Sequence, residues 1–194
     1  MARSSYHHGN LRQALVEATV RLIEENGPQA FTLAEAARLA GVSAAAPYRH
    51  FSGRDELLED VARQGFEEFA DRLGAAYDEG RPSALTAFLR MGQEYLSFAA
   101  ERRGYYIAMF ESGISIAGNA ALSQASERAR GVLVRSAAGL FDKLPPDRRP
   151  PPGMVADHLW ALSHGVVELF SRGKPGSRSP ISPGDMLESG ADRK

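Results

Sequence analysis

The sequence contains no cysteine, which removes disulfides, thiolate nucleophiles and cysteine zinc sites from consideration. A reducing cytosol suits such a chain. No apolar run approaches the ~20 residues that a membrane-spanning helix needs. The opening "MARSSYHHGN" also lacks the apolar core of a signal peptide. A soluble, cytoplasmic protein that does not enter the membrane is the expectation. Strand-like alternation and internal repeats are missing as well. So is any nucleophile–base pair or tight carboxylate pair, which argues against an enzyme. No cofactor motif is present. Nor is there an excess of one charge: the net value is -1, which alone speaks against a nucleic-acid binder.

The distribution of charge says more than its sum. Residues 1–54 carry six Arg and four Glu, a balance of +2, with His7, His8 and His50 in addition. The other 140 residues carry 17 basic and 20 acidic groups. A basic amino-terminal module on an acidic body fits phosphate contact at one end. The 194 residues, 43% of them hydrophobic, are enough to bury a core.

Helical spacing runs nearly throughout, so the expected fold class is all-α. Leu11, Leu15, Ala18 and Leu22 mark one buried face, with Asn10 as cap and Gln13 closing a capping box. Asn26-Gly27-Pro28 stops this helix. A second starts at Thr32, whose capping partner is Glu35, and ends near Ala40 before Gly41. A third is expected after Ser43, and a fourth after Ser52, boxed by Asp55 and running towards Ala76. Later helices are expected over about Ser83–Ala100, over "GYYIAMF", from Leu122 towards Leu144, and over about Met154–Ser171. The prolines of "LPPDRRPPPG" make that stretch a loop.

Ala37 and Gly41, four apart, suit a tight turn between steeply crossing helices. The small side chain permits close approach, and the glycine adopts the positive φ that ends the first helix. Here "FTLAEAARLAGVSAAAPYRHFSGRDELL" resembles the TetR family of transcriptional regulators almost position by position. "YHHGNLRQALVEA" is similar to a recurrent opening in part of that family. The resemblance implies an amino-terminal three-helix DNA-binding domain, residues 1–54, and a helical effector-binding and dimerisation domain, residues 55–194. Its partners would be double-stranded DNA carrying a palindromic operator, a second copy of the chain, and a small-molecule effector of unknown identity.

A helix-turn-helix places its second helix in the major groove while neighbouring helix ends grip phosphates. Thr32, at an amino-terminal cap, stands where a phosphate oxygen would bind. Tyr48, His50 and Arg54 match the family's backbone-contacting tyrosine, histidine and basic residue. The alternatives are core packing for Tyr48, simple capping for His50 and a solvated helix end for Arg54. Arg49 is exposed by periodicity. Pro47 occupies the family's aliphatic core position. Counted from a cap at Ser43, it is the fourth helical residue and forfeits only the first intrahelical bond. Ala44, Ala45 and Ala46 then face the groove floor, where alanine meets a thymine methyl but forms no bidentate pair with a base.

In the body, "EYLSFAAERRGYYIAMF" and the Trp-x-x-x-His-Gly pattern of "LWALSHGVVEL" are similar to one branch of the family. The whole resemblance covers roughly residues 6–172. Candidate ligand-pocket residues are Phe66, Met91, Tyr95, Tyr105, Met109, Phe110, Trp160 and His164; the alternative is that they are core. The Met154–Ser171 helix is apolar around most of its circumference. Val155, Leu159, Leu162, Val166 and Leu169 lie on one side, and Ala161 and Gly165 form a smooth stripe. It is therefore the expected dimer helix. Asp157, His164 and Glu168 share a stripe, but no metal site is assigned, and His7 and His8 read as an arm. The family's long last helix is expected to be a stub or missing in "DMLESGADRK", leaving a weakly dimeric relative as the alternative.

Overall fold

Local chemistry punctuates the first elements. A computed structural model of the chain describes residues 11–171; Asn10, His7, His8 and the carboxy-terminal "DMLESGADRK", with the expectation of a short or missing last helix, lie outside these. Helix α1, Leu11–Asn26, buries Leu15, Ala18, Leu22 and Ile23 on one face. It ends where Gly27 takes a φ of +85°. Helix α2, Leu33–Leu39, opens on the full capping box between Thr32 and Glu35. At its far end Gly41 N–H donates to the Arg38 carbonyl at 3.1 Å and Val42 N–H to the Ala37 carbonyl at 2.9 Å. With Gly41 at φ +73°, that pair of bonds turns the chain sharply and satisfies the last carbonyls.

The third helical element is shorter than its spacing implies. Instead of an α-helix capped by Ser43, residues 44–46 form a turn and Pro47–Arg49 a single 3-10 turn. The bonds are mostly of the tighter type, from Ala46 N–H to Ser43 O at 2.9 Å, Arg49 N–H to Ala46 O at 3.2 Å, and His50 N–H to Pro47 O at 2.9 Å. The proline ring excludes a bond from position 47 to the Ser43 carbonyl and crowds that carbonyl. The wider α turn is thus lost, not merely weakened. Pro47 itself is buried, as its apolar role requires.

Helix α3 spans Arg54–Tyr77. Its capping carboxylate is Glu56 rather than Asp55: Glu56 Oε2 accepts from Ser52 N–H at 2.6 Å and from Ser52 Oγ at 2.7 Å. Then come α4, Ala84–Glu101, capped by Ser83; α5, Arg103–Phe110; α6, Ala120–Leu140; and α7, Pro152–Ser171. Helix α6 stops short of Leu144, which is exposed in the following loop. Among the described residues there is no strand. The fold is all-α, with an amino-terminal helix-turn-helix.

Two compact units emerge, Met1–Gly65 with Arg103–Ser123, and Phe66–Arg102 with Gln124–Lys194. A division at residue 54 therefore differs from the packing, which assigns the start of α3 and all of α5 to the helix-turn-helix unit. The physical reason is a close crossing of α5 on α1. A Cβ at Gly104 would stand 2.6 Å from the Val20 carbonyl oxygen and 2.9 Å from Glu24 Cγ. Gly104 N–H also donates to Glu24 Oε1 at 2.9 Å. Farther along, a Cβ at Gly65 would lie 2.7 Å from Met109 Sδ. Gln29 Nε2 donates to Ser112 O at 2.8 Å and Asn119 Nδ2 to Glu59 Oε2 at 2.7 Å, so the loop after α5 is tied to the same unit.

In the second unit α4 buries Ala87, Met91, Tyr95 and Phe98. The Phe69 ring meets Tyr95 edge-on at 5.0 Å and Phe98 at 4.9 Å, a favourable aromatic geometry. Helix α7 packs on α4 and buries Ala156, Ser163, Val166 and Val167. The five apolar residues expected to share one side divide: Val166 faces the core, while Leu162 and Leu169 are 47% and 74% exposed. Met154 and Ala161 are exposed with them, and a Cβ at Gly165 would meet nothing within 4 Å.

These crossings give opposite expectations for two glycines. Gly74→Ala, inside α3 with nothing within 4 Å, is expected to raise stability by about 0.5–1 kcal/mol. Gly104→Ala forces two backbones apart and is expected to lower stability by about 1–3 kcal/mol. Thermal unfolding of the two variants checks both signs.

Candidate nucleic-acid interface

Ser43 to His50 form a continuous surface feature on the first unit. Ser43, Ala44, Ala45, Arg49 and His50 are exposed, and Tyr48 is 65% exposed. That exposure disposes of core packing as the role of Tyr48. Ala46 is half-buried above the seated Pro47. Phe51, next in the chain, is buried with Leu33, Ala36, Ala37, Leu57 and Leu58. The segment is thus a short turn anchored at Pro47 and Phe51: Tyr48, Arg49 and His50 between them face outward, as do Ser43, Ala44 and Ala45 before the half-buried Ala46.

Thr32 is exposed at the start of α2, but its hydroxyl is already engaged. It accepts from Glu35 N–H at 3.2 Å and donates to Glu35 Oε2 at 2.9 Å, and that same oxygen accepts from Thr32 N–H at 2.9 Å. A phosphate approaching Thr32 must compete with the Glu35 carboxylate. Arg54 differs more from its expected role. Its side chain is only 26% exposed and turns inward. Nε donates to the Phe31 carbonyl at 3.2 Å, Nη2 to the Pro28 carbonyl, and Nη1 to Asp55 Oδ1 at 2.9 Å. The guanidinium lies 4.6 Å from the centroid of Phe31. In this structure Arg54 clamps the turn that delivers α2, and its planar fork suits several carbonyls at once.

A second clamp holds the other side of the module. Asp60 is buried on α3 and accepts from Arg12 Nε at 2.9 Å and from Arg63 at 3.0 and 2.7 Å. The Arg12 guanidinium also stacks 4.7 Å over the Phe51 ring, linking α1 to the end of the exposed segment. Burial pushes the Asp60 carboxyl up, but the hydrogen bonds from Arg12 and Arg63 outweigh it and hold it below its ordinary value.

Periodicity alone did not bring out Arg38, exposed in the last turn of α2. A different signal finds it. Between Glu35 and Asp55 the chain has no acidic residue, yet it holds Arg38, Arg49, Arg54 and His50. An acid-free stretch ending in an exposed turn is the charge pattern that a phosphate backbone favours.

The eight candidate pocket residues are distributed over both units. Tyr105, Met109 and Phe110 sit on α5 in the first unit, and Phe66, Met91, Tyr95, Trp160 and His164 in the second. Phe66, Met91, Tyr95, Tyr105 and Met109 are buried; Phe110, Trp160 and His164 are half-buried. A cleft of about 320 Å³ in the first unit is lined by Gln29, Arg54, Leu58, Glu59 and Ser112, among others. Asp157 of the acidic–histidine stripe is held by Arg130 at 3.0 and 3.1 Å. Among the described residues no three His, Asp or Glu groups are placed to hold a metal. No described helix is long and apolar enough to cross a membrane.

With this geometry in view, the chain matches the model for bacterial regulatory proteins of the tetR family over residues 15–61, and that for a tetracyclin repressor-like C-terminal domain over residues 88–193. The chain belongs to the TetR family. Among curated relatives of this TetR-family chain, the HTH-type transcriptional regulator BetI of Rhizobium meliloti is 30% identical over 135 residues, 69% of this chain and 62% of that protein. The nucleoid occlusion factor SlmA of Vibrio cholerae is 31% identical over 96 residues, 49% of this chain and 48% of that one. The matches thus span less than two thirds of the length of these relatives. A solved protein of unknown function from Rhodococcus sp. RHA1 superposes with a TM-score of 0.81 at 26% identity, covering 98% of this chain and 96% of that one. The TetR family regulator PfmR of Thermus thermophilus shares the fold, at a TM-score of 0.64 and 18% identity over 92% and 94% of the two chains.

Two measurements follow from the clamps. Arg54→Ala is expected to lower stability by about 2 kcal/mol while leaving the salt dependence of DNA binding unchanged. A salt slope smaller by about one at unaltered stability would instead make Arg54 a phosphate ligand. Because the folded Asp60 carboxyl is held below its unfolded value, its contribution is complete above the ordinary carboxylate range and is lost as pH falls through it. Acid unfolding of Asp60→Asn should therefore show a flatter decline below about pH 4 than the parent chain.

Proposed function

We propose that this chain is a cytoplasmic transcriptional repressor that binds a palindromic operator as a homodimer. The observation that carries the reading is the outward turn Ser43–His50, held to the core by buried Pro47 within it and Phe51 after it, in an acid-free stretch. Tyr48 and His50 reach phosphates beside the groove. Thr32 does so once Glu35 releases its hydroxyl. Ala44, Ala45, Ala46 and Arg49 face bases, and Ser43 lies at the entry of the turn. Arg54 supports this surface from behind.

Dimerisation would use the outward face of α7. Met154, Ala161, Leu162 and Leu169 are exposed there beside the open Gly165, an apolar stripe on a helix whose opposite face is buried. Two copies joined at this stripe would present two turns to grooves ~34 Å apart. A small-molecule effector that preferred another spacing would release the operator by population shift. A second reading, DNA binding without an effector, draws support from the burial of Phe66, Met91 and Tyr95. Thermal-shift screening with apolar and aromatic compounds separates the two.

Selection from random duplexes is expected to return inverted half-sites about one helical turn apart. Leu162→Glu with Leu169→Glu is expected to convert a dimer to a monomer by light scattering and to abolish preference for the palindrome over a single half-site. A parent chain that is monomeric at micromolar concentration contradicts the dimer.

A further inference from the structure

We infer that this chain recognises its operator chiefly through C5-methyl groups of pyrimidines, thymine above all, facing Ala44 and Ala45, with Arg49 as the hydrogen-bonding base reader. The inference rests on the DNA-binding reading above and specifies what that surface can distinguish.

The first ground is length. The outward segment is closed at one end by the turn after α2 and at the other by buried Phe51. Pro47 restricts what lies between to a turn at residues 44–46 and one 3-10 turn. No further helical turn follows to bring additional side chains to the groove floor. Within this element, the side chains available to bases therefore all lie in Ser43–His50.

The second ground is chemistry. Of the outward side chains, Tyr48 and His50 are assigned to phosphates, in keeping with the reading above. Ala44 and Ala45 are exposed and offer only methyl groups. Methyl groups cannot tell one hydrogen-bonding edge from another; in the major groove they distinguish bases only by the thymine methyl. Arg49 is exposed, carries a planar donor fork and can pair with the O6 and N7 acceptors of guanine. Ser43, at the entry of the turn, offers a single hydroxyl compatible with either kind of base. Two adjacent methyl-bearing residues and one fork thus describe a half-site with thymines beside a guanine.

Deoxyuridine removes the methyl and keeps every pairing and hydrogen-bonding group of thymine, so the test alters the DNA and leaves the protein untouched. Full-length protein is titrated into duplexes selected from random sequence, then into the same duplexes with half-site thymines replaced by deoxyuridine, and into an unrelated duplex treated likewise. Each methyl removed from the contact should weaken binding about fourfold, with less than a twofold change on the unrelated duplex. Ala44→Gly with Ala45→Gly should bind the thymine and deoxyuridine duplexes equally. Arg49→Ala should retain that difference and lose preference at one guanine per half-site. Equal affinity of the parent chain for both selected duplexes, or selected half-sites without thymine, overturns methyl recognition and leaves operator binding intact. Failure to bind any duplex at low salt overturns the DNA-binding reading itself, and this inference with it.

Discussion

The seating of Pro47 in the module core is the constraint on which the surface of this protein depends. Its ring is buried beside α2, and it removes the hydrogen bond that would have carried an α-helix through this point. The chain answers with a turn and one 3-10 turn, the tighter geometry used in short pieces. Everything distal to the ring is pushed outward, and Phe51 then returns the chain to the core. An α-helix of ordinary length would display more side chains; here the exposed ones are Ser43, Ala44, Ala45, Tyr48, Arg49 and His50.

Such a short element needs support from outside itself. Arg54 grips the α1–α2 turn from below, and Arg12, held by Asp60, covers Phe51. Both clamps join residues far apart in sequence, and both use guanidinium groups for bonds and stacking together. Helix α5 reinforces the unit through the glycine crossing on α1. The first unit is accordingly larger than a three-element module. It reaches to Gly65 and takes in Arg103–Ser123.

What was legible in the sequence was mainly local. The Thr32–Glu35 box, the Gly41 turn and the extents of most helices depend on neighbours within a few residues, and these match. The all-α class followed from the same signals. Less local features were read less well. Whether Pro47 weakens or abolishes a helix turns on the bonds that remain around it. Arg54 reads from the sequence as a DNA-backbone contact, because its partners, Pro28 and Phe31, lie more than twenty residues back and leave no local signal. The capping carboxylate of α3 was displaced by one position, to Glu56. On α7, Val166, Leu162 and Leu169 do not share a side as expected: the contact with α4 covers Val166 and leaves Leu162 and Leu169 exposed. Periodicity likewise could not separate a ligand pocket from a packed core, and most of the residues proposed as lining are buried.

The most direct test of the central claim is amide hydrogen exchange of the full-length protein with and without duplex DNA, read over Thr32–Gly53. Slowed exchange centred on the Ser43–Phe51 peptides and the start of α2, with α4 and α7 unchanged apart from any dimer effect present without DNA, is the expected result. DNA-dependent protection elsewhere, with Ser43–Phe51 exchanging as in the free protein, would contradict the assignment of this turn as the DNA-reading surface.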